Sequence, residues 1–564
     1  MTVTGSIAIL LLAVVTILLA LPTGRYLHAV FSDGRPPLDG AFLTVEKIIY
    51  ALMGVDPSRE MDWKQYTKNF LMLNFVMLIV GYIILRIMGF LPLNPNHIPG
   101  MNWDLAFNTA ISFVTNTNWQ NYAGETAMSY LGQMIFVQFL QFTGVATAIA
   151  ASVAFVRAFV GKRDTIGNFW ADFVRAITRV LLPGSIVLAV LFLATGSPQT
   201  LAPDAVAHTL QGSLQIIARG PVASLEAIKQ LGNNGGGFFN ANSAHPFEGA
   251  TPASDVLGIL AMSLIPTALV VMFGHFIQNR RQARVIYILL MGVLVFGAFV
   301  VYAAETAGNP LVAHLLGVHG PNMEGKEQRF GPALSSYFVS ATTAYTTGAV
   351  NAMHDSLTPL GGLIPLSWMM LNTVFGSGGA GLLNILMFFI ITVFLAGLMV
   401  GRTPEFLGKK IEAKEIKLAT VAMLIHPLIV LAPTAIALMT PAGRSSILNP
   451  GLHGFSEVLY AFTSAAANNG SAFAGLNGNT VFYNVALGIV IAVGRYASII
   501  AMLAIAGAVA VKQPTPTTSG TLATDTFSFG AIFLAVLVIV SALTFFPALA
   551  LGPIGEQLLM WSGK

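Results

Sequence analysis

Four polar stretches interrupt an otherwise apolar chain: Thr115-Asn116-Thr117-Asn118-Trp119-Gln120, Asn233-Asn234-Gly235-Gly236-Gly237, Thr346-Thr347-Gly348-Ala349-Val350-Asn351 and Asn468-Asn469-Gly470-Ser471-Ala472-Phe473. Aligned on Asn118, Gly235, Gly348 and Gly470, they recur at intervals of 117, 113 and 122 residues, long enough for two membrane spans and a loop. Asn-Gly and Thr-Gly pairs taken singly are ordinary turns. Four in register between long apolar runs need a different account. Non-helical backbone at membrane depth persists only where it is buried in protein or lines a watery path. Glycine permits a positive φ that turns successive carbonyls inward, and four such loops about one axis make a ring of oxygens, the construction of a cation filter. A short helix before each loop would aim its negative C-terminal end at the ring centre. No Asp or Glu lies within the four stretches, which suits a monovalent ion stripped of water better than Mg²⁺ or Ca²⁺. Thr and Asn side chains supply further oxygens or brace the loops. Asn118 stands where the other loops have glycine, so the ring is expected to be pseudo-symmetric.

The elements that would position these loops are membrane helices. The 564 residues are 55% hydrophobic and 9% charged, with mean hydropathy +0.74. A soluble domain carries about 25% charged residues. The net charge of +4 is therefore read through the positive-inside rule, and no nucleic-acid partner is expected. The absence of cysteine excludes disulfides and thiolate chemistry. The ten histidines form no HExxH-type pair, so no protein-held transition metal is expected.

The pattern predicts an all-α polytopic membrane protein of about ten spans at ~20 residues each. Ile7 to Leu21 is read as a retained first span, because Arg25, Arg35 and Lys47 follow it and no basic residue precedes it, the reverse of a signal peptide. A mixed connection runs on to about Lys64. The expected spans then run from Phe70 to Gly89, Tyr130 to Val156, Val180 to Leu193, Val256 to Phe276, Val285 to Ala303, Pro365 to Val400, Leu418 to Leu438, Val481 to Val511 and Phe529 to Leu549. A polar stretch, Asn309 to Arg329, precedes the third loop. The expected division is 1–62 for the first span and connection, then repeats at 63–160, 161–280, 281–402 and 403–512, then a linker and last span at 513–564. The basic clusters fall between the repeats: Arg157, Lys162, Arg163, Arg175 and Arg179; Arg280, Arg281 and Arg284; Arg402, Lys409, Lys410, Lys414 and Lys417. This places them on one side of the membrane, with the four loops and both termini on the other.

The span–loop–span repeats with single-glycine loops resemble the superfamily of potassium transporters that includes the Trk, Ktr and HKT proteins. Longer strings narrow the resemblance: Thr115 to Gln120, Asn234-Gly235-Gly236-Gly237-Phe238-Phe239-Asn240-Ala241-Asn242-Ser243, Glu324-Gly325-Lys326-Glu327-Gln328-Arg329-Phe330-Gly331 and Gly401-Arg402-Thr403-Pro404-Glu405. These are similar to the potassium-binding subunits of bacterial Kdp potassium-transporting ATPases over essentially the whole chain. The resemblance implies that Asn116, Thr117, Asn118, Asn233, Asn234, Gly235, Thr346, Thr347, Gly348, Asn468, Asn469 and Gly470 surround K⁺, the transported ion. It also implies that Gln120 supports the first loop from behind. Family members often read Thr-Asn-Gly in the second loop and Ser-Cys-Gly in the third, where this chain has Asn233-Asn234-Gly235 and Thr346-Thr347-Gly348.

Two further features bear on ion passage. Arg495 sits inside an apolar run, where an arginine at mid-bilayer costs at least ~2.5–3.5 kcal/mol and must face the protein interior. It is read as a positive barrier below the filter, as the resemblance implies, or as a structural arginine satisfied by carbonyls. Gly376, Gly378 and Gly379, within Phe375-Gly376-Ser377-Gly378-Gly379-Ala380-Gly381, mark either a helix break and gate or close packing through small residues. No Walker A loop or DKTG phosphorylation string is present, so ATP hydrolysis is not expected of this chain. The resemblance implies a separate P-type ATPase subunit (KdpB-like), small membrane subunits (KdpC- and KdpF-like) and the bacterial inner membrane. The alternative is a stand-alone channel or ion-coupled transporter of the Trk type. A purely structural scaffold leaves the four loops unexplained.

Overall fold

The structure is a computed structural model that describes all residues except 33, 35, 38, 162, 163, 402, 515–521, 563 and 564. Arg35, Lys162, Arg163, Arg402 and the middle of the linker therefore lie outside the described residues. Among the described residues, ten helices are long and apolar enough to cross a membrane. They match the expected spans in number and order, with ends extended by capping chemistry. Thr2 caps the first span, Val3–Phe31, through Gly5 N–H. Reciprocal capping boxes start Pro252–Phe276 (Thr251 with Ser254) and Ala413–Met439 (Glu412 with Glu415), each satisfying otherwise orphaned N–H groups.

Each of the four units is a span, a short buried helix, a polar loop and a second span. The short helices are Trp103–Val114, Val222–Leu231, Gly331–Ala344 and Leu452–Ala466. The spans that follow the first three loops form much of the interior: an apolar stretch of Tyr130–Val160 is 89% buried, of Pro252–Phe276 72% and of Ala380–Val400 67%, whereas Val481–Ala510 after the fourth loop is 44% buried. The spans leading into the first and fourth units, Trp63–Phe90 and Ala413–Met439, are only 28% and 22% buried, and their apolar outer faces have the composition of a lipid-facing surface. The extra first span lies against Pro252–Phe276, where Gly24 lets it approach Val271 and the Ala268 backbone. The extra last span packs Phe529 and Phe533 onto Phe389, with ring centroids 5.3 and 4.7 Å apart.

The span after the third loop is broken. It comprises Pro359–Leu371 and Ala380–Val400 joined by an irregular segment. Asn372 ends the first half in the left-handed region, and Phe375, Gly376 and Gly379 also have positive φ. Sequence reading took 36 residues from Pro365 to Val400 as one run interrupted by glycines, and the interruption is where those glycines stand.

Several connections are more ordered than their composition suggests. Asp39–Met53 is a helix within the expected mixed connection, and Pro310–Leu316 is a helix within the polar stretch before the third loop. Arg179 fixes the former by pairing with Glu46 at 2.6 Å and Asp39 at 2.6 Å. Arg157 pairs with Asp172 at 2.9 Å. The span before the second loop starts at Phe169, ahead of Arg175 and Arg179, and continues to Thr195. Two members of the first basic cluster are thus structural ion pairs and do not form a free positive surface.

Candidate functional site

The four short helices converge at their C-termini and end alike. Thr117, Asn234, Thr347 and Asn469 each donate a backbone N–H to the carbonyl five residues earlier, on Ser112, Lys229, Thr342 and Ser464, at 2.7–3.0 Å. The residue before each of these is left-handed: Asn116 (φ 65), Asn233 (φ 51), Thr346 (φ 42) and Asn468 (φ 54). This is the Schellman ending, in which the left-handed residue lets the chain reverse and satisfy the helix's last carbonyls. Asparagine tolerates that conformation and recurs at three of the four positions, whereas the β-branched Thr346 is strained there.

A second positive φ follows at each aligned position: Asn118 (57), Gly235 (85), Gly348 (88) and Gly470 (101). The glycines make a closed circuit possible. A Cβ on Gly235 would strike the Thr347 carbonyl, one on Gly348 the Asn469 carbonyl, and one on Gly470 the Thr117 carbonyl. The first loop closes on the second, where a Cβ on Gly236 would lie 2.8 Å from the Cβ of Asn118. The side chain at the one non-glycine position is therefore accommodated by a glycine in its neighbour.

Side chains knit the loops in the same cyclic order. Asn116 Nδ2 donates to the Gly232 and Asn233 carbonyls at 3.1 and 2.9 Å. Asn233 Nδ2 donates to Thr347 Oγ1 at 3.0 Å. Asn469 Nδ2 donates to the Thr342 carbonyl at 3.0 Å, and Asn468 Nδ2 to Thr117 Oγ1 at 2.9 Å. The amide groups of these asparagines thus brace the ring.

What remains open is main-chain oxygen. The carbonyls of Thr117, Asn118, Asn234, Thr347, Gly348, Asn469 and Gly470 accept no hydrogen bond from any described group of the protein, although all but Gly470 belong to buried residues. Buried carbonyls are normally paired, so a set of seven at equivalent positions of one ring requires a partner of another kind. The eighth, on Gly235, is taken by Asn242 Nδ2 at 2.7 Å. The left-handed turn at Gly235 therefore serves chain direction and close approach, while Asn234 carries that loop's free oxygen.

A cavity of about 740 Å³ opens above the ring and is bordered by Asn118, Gly235, Gly348 and Gly470. Gln120 stands at its edge and clasps the second loop, accepting from Gly237 N–H at 3.0 Å and donating to the Gly237 carbonyl at 3.2 Å. A second cavity lies on the other side, bordered by Asn468, Asn372, Ser377, Asn384 and Arg495. Arg495 is 2% exposed and donates through one Nη to the Gly144 carbonyl at 2.9 Å, while its other Nη has no hydrogen-bond partner. Gly144 packs on the Asn116 side chain, so the guanidinium lies one residue beneath the ring. The break in the seventh span passes at the same level. Gly376 N–H donates to the Ala344 carbonyl at the end of the third short helix, at 2.9 Å. A Cβ on Gly378 would meet Val145, Ile265 and Asn233, and one on Gly379 would overlap the Ala148 backbone. The glycines thus mark a helix break and also permit close packing.

Sequence reasoning named all four loops, Gln120, Arg495 and the glycine break, and the structure places the last three against the loops or the cavities on either side of them. It missed the supports. Gln141 Nε2 donates to Asn118 Oδ1 and the Gly236 carbonyl at 3.2 and 2.8 Å. Lys229, fully buried beneath the second loop, is held by Glu226 at 2.8 Å and Glu248 at 2.5 Å. Burial pushes the Glu226 carboxyl upward against the pull of Lys229. A glutamine inside the apolar run after the first loop and a Glu/Lys pair three apart on a short helix were the available signals.

The family model for KdpA, the potassium-transporting ATPase A subunit, matches residues 9–558. The chain belongs to the KdpA family. It is 62% identical to the potassium-transporting ATPase potassium-binding subunit of Alicyclobacillus acidocaldarius, over 99% of this chain and 100% of that one. It is 52% identical to the subunit of the same name from Geobacillus kaustophilus, over 97% and 98%. Among solved structures it resembles the potassium transporter TrkH from Vibrio parahaemolyticus, with TM-score 0.53 and 14% identity over 88% of this chain and 98% of that one. That likeness concerns the fold, and it matches the repeated span–loop–span plan on which the ring is built.

Proposed function

We propose that this KdpA-family chain binds K⁺ selectively and passes it into the membrane as the translocating subunit of an ATP-driven potassium uptake complex. The observation that carries the proposal is the ring of seven carbonyls, six of them on buried residues, that are unpaired among the described residues and contributed in cyclic order by the loops after four short helices. Each helix end carries roughly half a negative elementary charge, so four directed at one point approach about −2 without a carboxylate. Such a site holds a monovalent cation strongly while costing less dehydration than a divalent ion would pay. Asn116, Asn233, Asn468 and Asn469 hold the spacing of the oxygens, and spacing is what separates K⁺ from Na⁺ when every ligand is neutral.

Below the ring, Arg495 supplies a positive charge in a cavity where the described residues offer it no acidic partner. It opposes passive descent of a cation, and movement past it depends on rearrangement of the broken span at Gly376, Gly378 and Gly379. The energy comes from a separate P-type ATPase subunit (KdpB-like), with small KdpC- and KdpF-like membrane subunits completing the complex. The chain lies in the bacterial inner membrane with the loops and both termini on the outer side and the basic connections in the cytoplasm. The repeat boundaries at 63–160, 161–280, 281–402 and 403–512 follow the same units.

The test is ATP hydrolysis by the chain assembled with its ATPase subunit. K⁺ should stimulate hydrolysis at concentrations where Na⁺ does not. Free K⁺ conduction by the chain alone in vesicles, with no K⁺-stimulated partner, would overturn the proposal in favour of a stand-alone transporter.

A further inference from the structure

Away from the ring, three segments distant in sequence bring a histidine and three carboxylates to one point on the loop-bearing end. Asp355 follows the third loop, His453 and Glu457 lie on the first turns of the fourth short helix, and Glu556 lies on the terminal helix Gly555–Ser562. His453 Nε2 is 3.1 Å from Asp355 Oδ1, and its Nδ1 is 2.9 Å from Glu556 Oε1. The donor atoms of Asp355, His453 and Glu457 all lie within 4.8 Å of one another.

Glu457 is the anomaly. Its side chain is 0% exposed, Oε1 accepts from Asn449 Nδ2 at 2.6 Å, and Oε2 has no partner at all. A buried carboxylate with an empty oxygen is costly unless a cation completes it. Gly475 lets the chain pass close to Glu457 Oε1 and Asp355 Oδ2, which share Asn449 Nδ2 as donor at 2.6 and 3.3 Å and leave Glu457 Oε2 and Asp355 Oδ1 for other partners. No acidic residue here is consumed by Lys or Arg among the described residues. One imidazole cannot neutralise three carboxylates.

We propose that Asp355, His453 and Glu457, with Glu556 at the rim, form a site for a first-row divalent cation of the Zn²⁺ class. Mixed imidazole and carboxylate donors suit Zn²⁺ better than the all-oxygen shells preferred by Ca²⁺ and Mg²⁺. The ion would clamp the exit of the third loop, the start of the fourth short helix and the terminal helix together. It would also fix the His453 ring, which stacks on Phe473 of the fourth loop at 5.9 Å and 8°. Phe473 in turn stacks on Tyr460 at 4.2 Å, and Tyr460 Oη pairs with Ser471 Oγ at 2.8 Å. The site is independent of the filter reading and stands or falls on metal binding alone.

The experiment uses the full chain in detergent, free of any affinity tag and stripped with EDTA, dialysed to equilibrium against Zn²⁺, with Mn²⁺, Ca²⁺ and Mg²⁺ for comparison. Thermal unfolding is followed in parallel. One Zn²⁺ per chain, a raised Tm with Zn²⁺ and at least tenfold weaker binding in Glu457→Gln are expected. His453→Asn, at a partly exposed position, provides the same comparison if Glu457→Gln does not fold. No stoichiometric Zn²⁺, or Zn²⁺ bound equally well by the folded variants, would show that the cluster is an ion pair network around a protonated histidine and overturn the proposal.

Discussion

Replacing Gly348 with alanine tests the ring at its tightest joint. Gly348 has φ 88, and its missing Cβ leaves the space occupied by the Asn469 carbonyl oxygen. Alanine there meets two costs. The left-handed conformation is worth about 1–2 kcal/mol against an L side chain, and the methyl overlaps the neighbouring loop's backbone. The vacant ring escapes both by letting the third loop relax, which displaces the Thr347 and Gly348 carbonyls. An entering K⁺ must then restore the strained geometry, so the cost appears in affinity. At 1.4 kcal/mol per tenfold, strain alone weakens K⁺ binding about 5- to 30-fold, and the overlap adds to that. Selectivity should fall as well, because the oxygens lose their common spacing. The assay is stimulation of ATP hydrolysis by K⁺, Rb⁺ and Na⁺ in the purified complex, with assembly checked by size. Gly317→Ala is the control, since Gly317 also has positive φ (64) but open space around it, away from the ring. It should lose a little stability and no K⁺ affinity. Unchanged ion responses in a well-assembled Gly348→Ala complex would refute the reasoning.

Other positions separate the roles of brace, barrier and strain. Gln120→Ala removes two hydrogen bonds to Gly237, worth about 1 kcal/mol each, so K⁺ half-saturation should rise by up to about 30-fold while assembly persists; an unshifted value would make Gln120 a bystander. Arg495→Met should admit passive K⁺ flux into vesicles or uncouple ATP hydrolysis from transport, and unchanged flux and coupling would assign Arg495 to structure. Thr346→Asn places at the third loop the residue used at the other three, relieves a β-branched residue at φ 42 and sacrifices no hydrogen bond, since Thr346 Oγ1 has none. Stability should rise by about 0.5–1 kcal/mol with K⁺ stimulation retained, and a lowered Tm would contradict the strain assignment.

The spans, the four loops and the break at Gly376 were legible because each leaves a compositional mark: long apolar runs, polar interruptions at a regular interval, and clustered glycine. The arrangement of the ring was not. Glycine at the aligned positions suggested one turn per loop, whereas the structure has two, and the first falls on Asn116, Asn233, Thr346 and Asn468, of which the three asparagines bind neighbouring loops through their side chains. Which carbonyls stay free depends on contacts more than 100 residues apart and on one local bond from Asn242 that removes the Gly235 oxygen. The helix Asp39–Met53 was hidden because its anchor is tertiary, the pairing of Glu46 with Arg179. Arg179 looked like a flanking cytoplasmic charge for the same reason.

The central claim concerns where the ion sits, and anomalous diffraction from the K⁺ analogue Tl⁺ tests it most directly. The ring predicts one dominant Tl⁺ peak on the axis, within coordination distance of the carbonyl oxygens of Thr117, Asn234, Thr347 and Asn469, lost when Na⁺ replaces Tl⁺ and K⁺. A ring without a peak, or a peak held by side chains elsewhere in the chain, would contradict it.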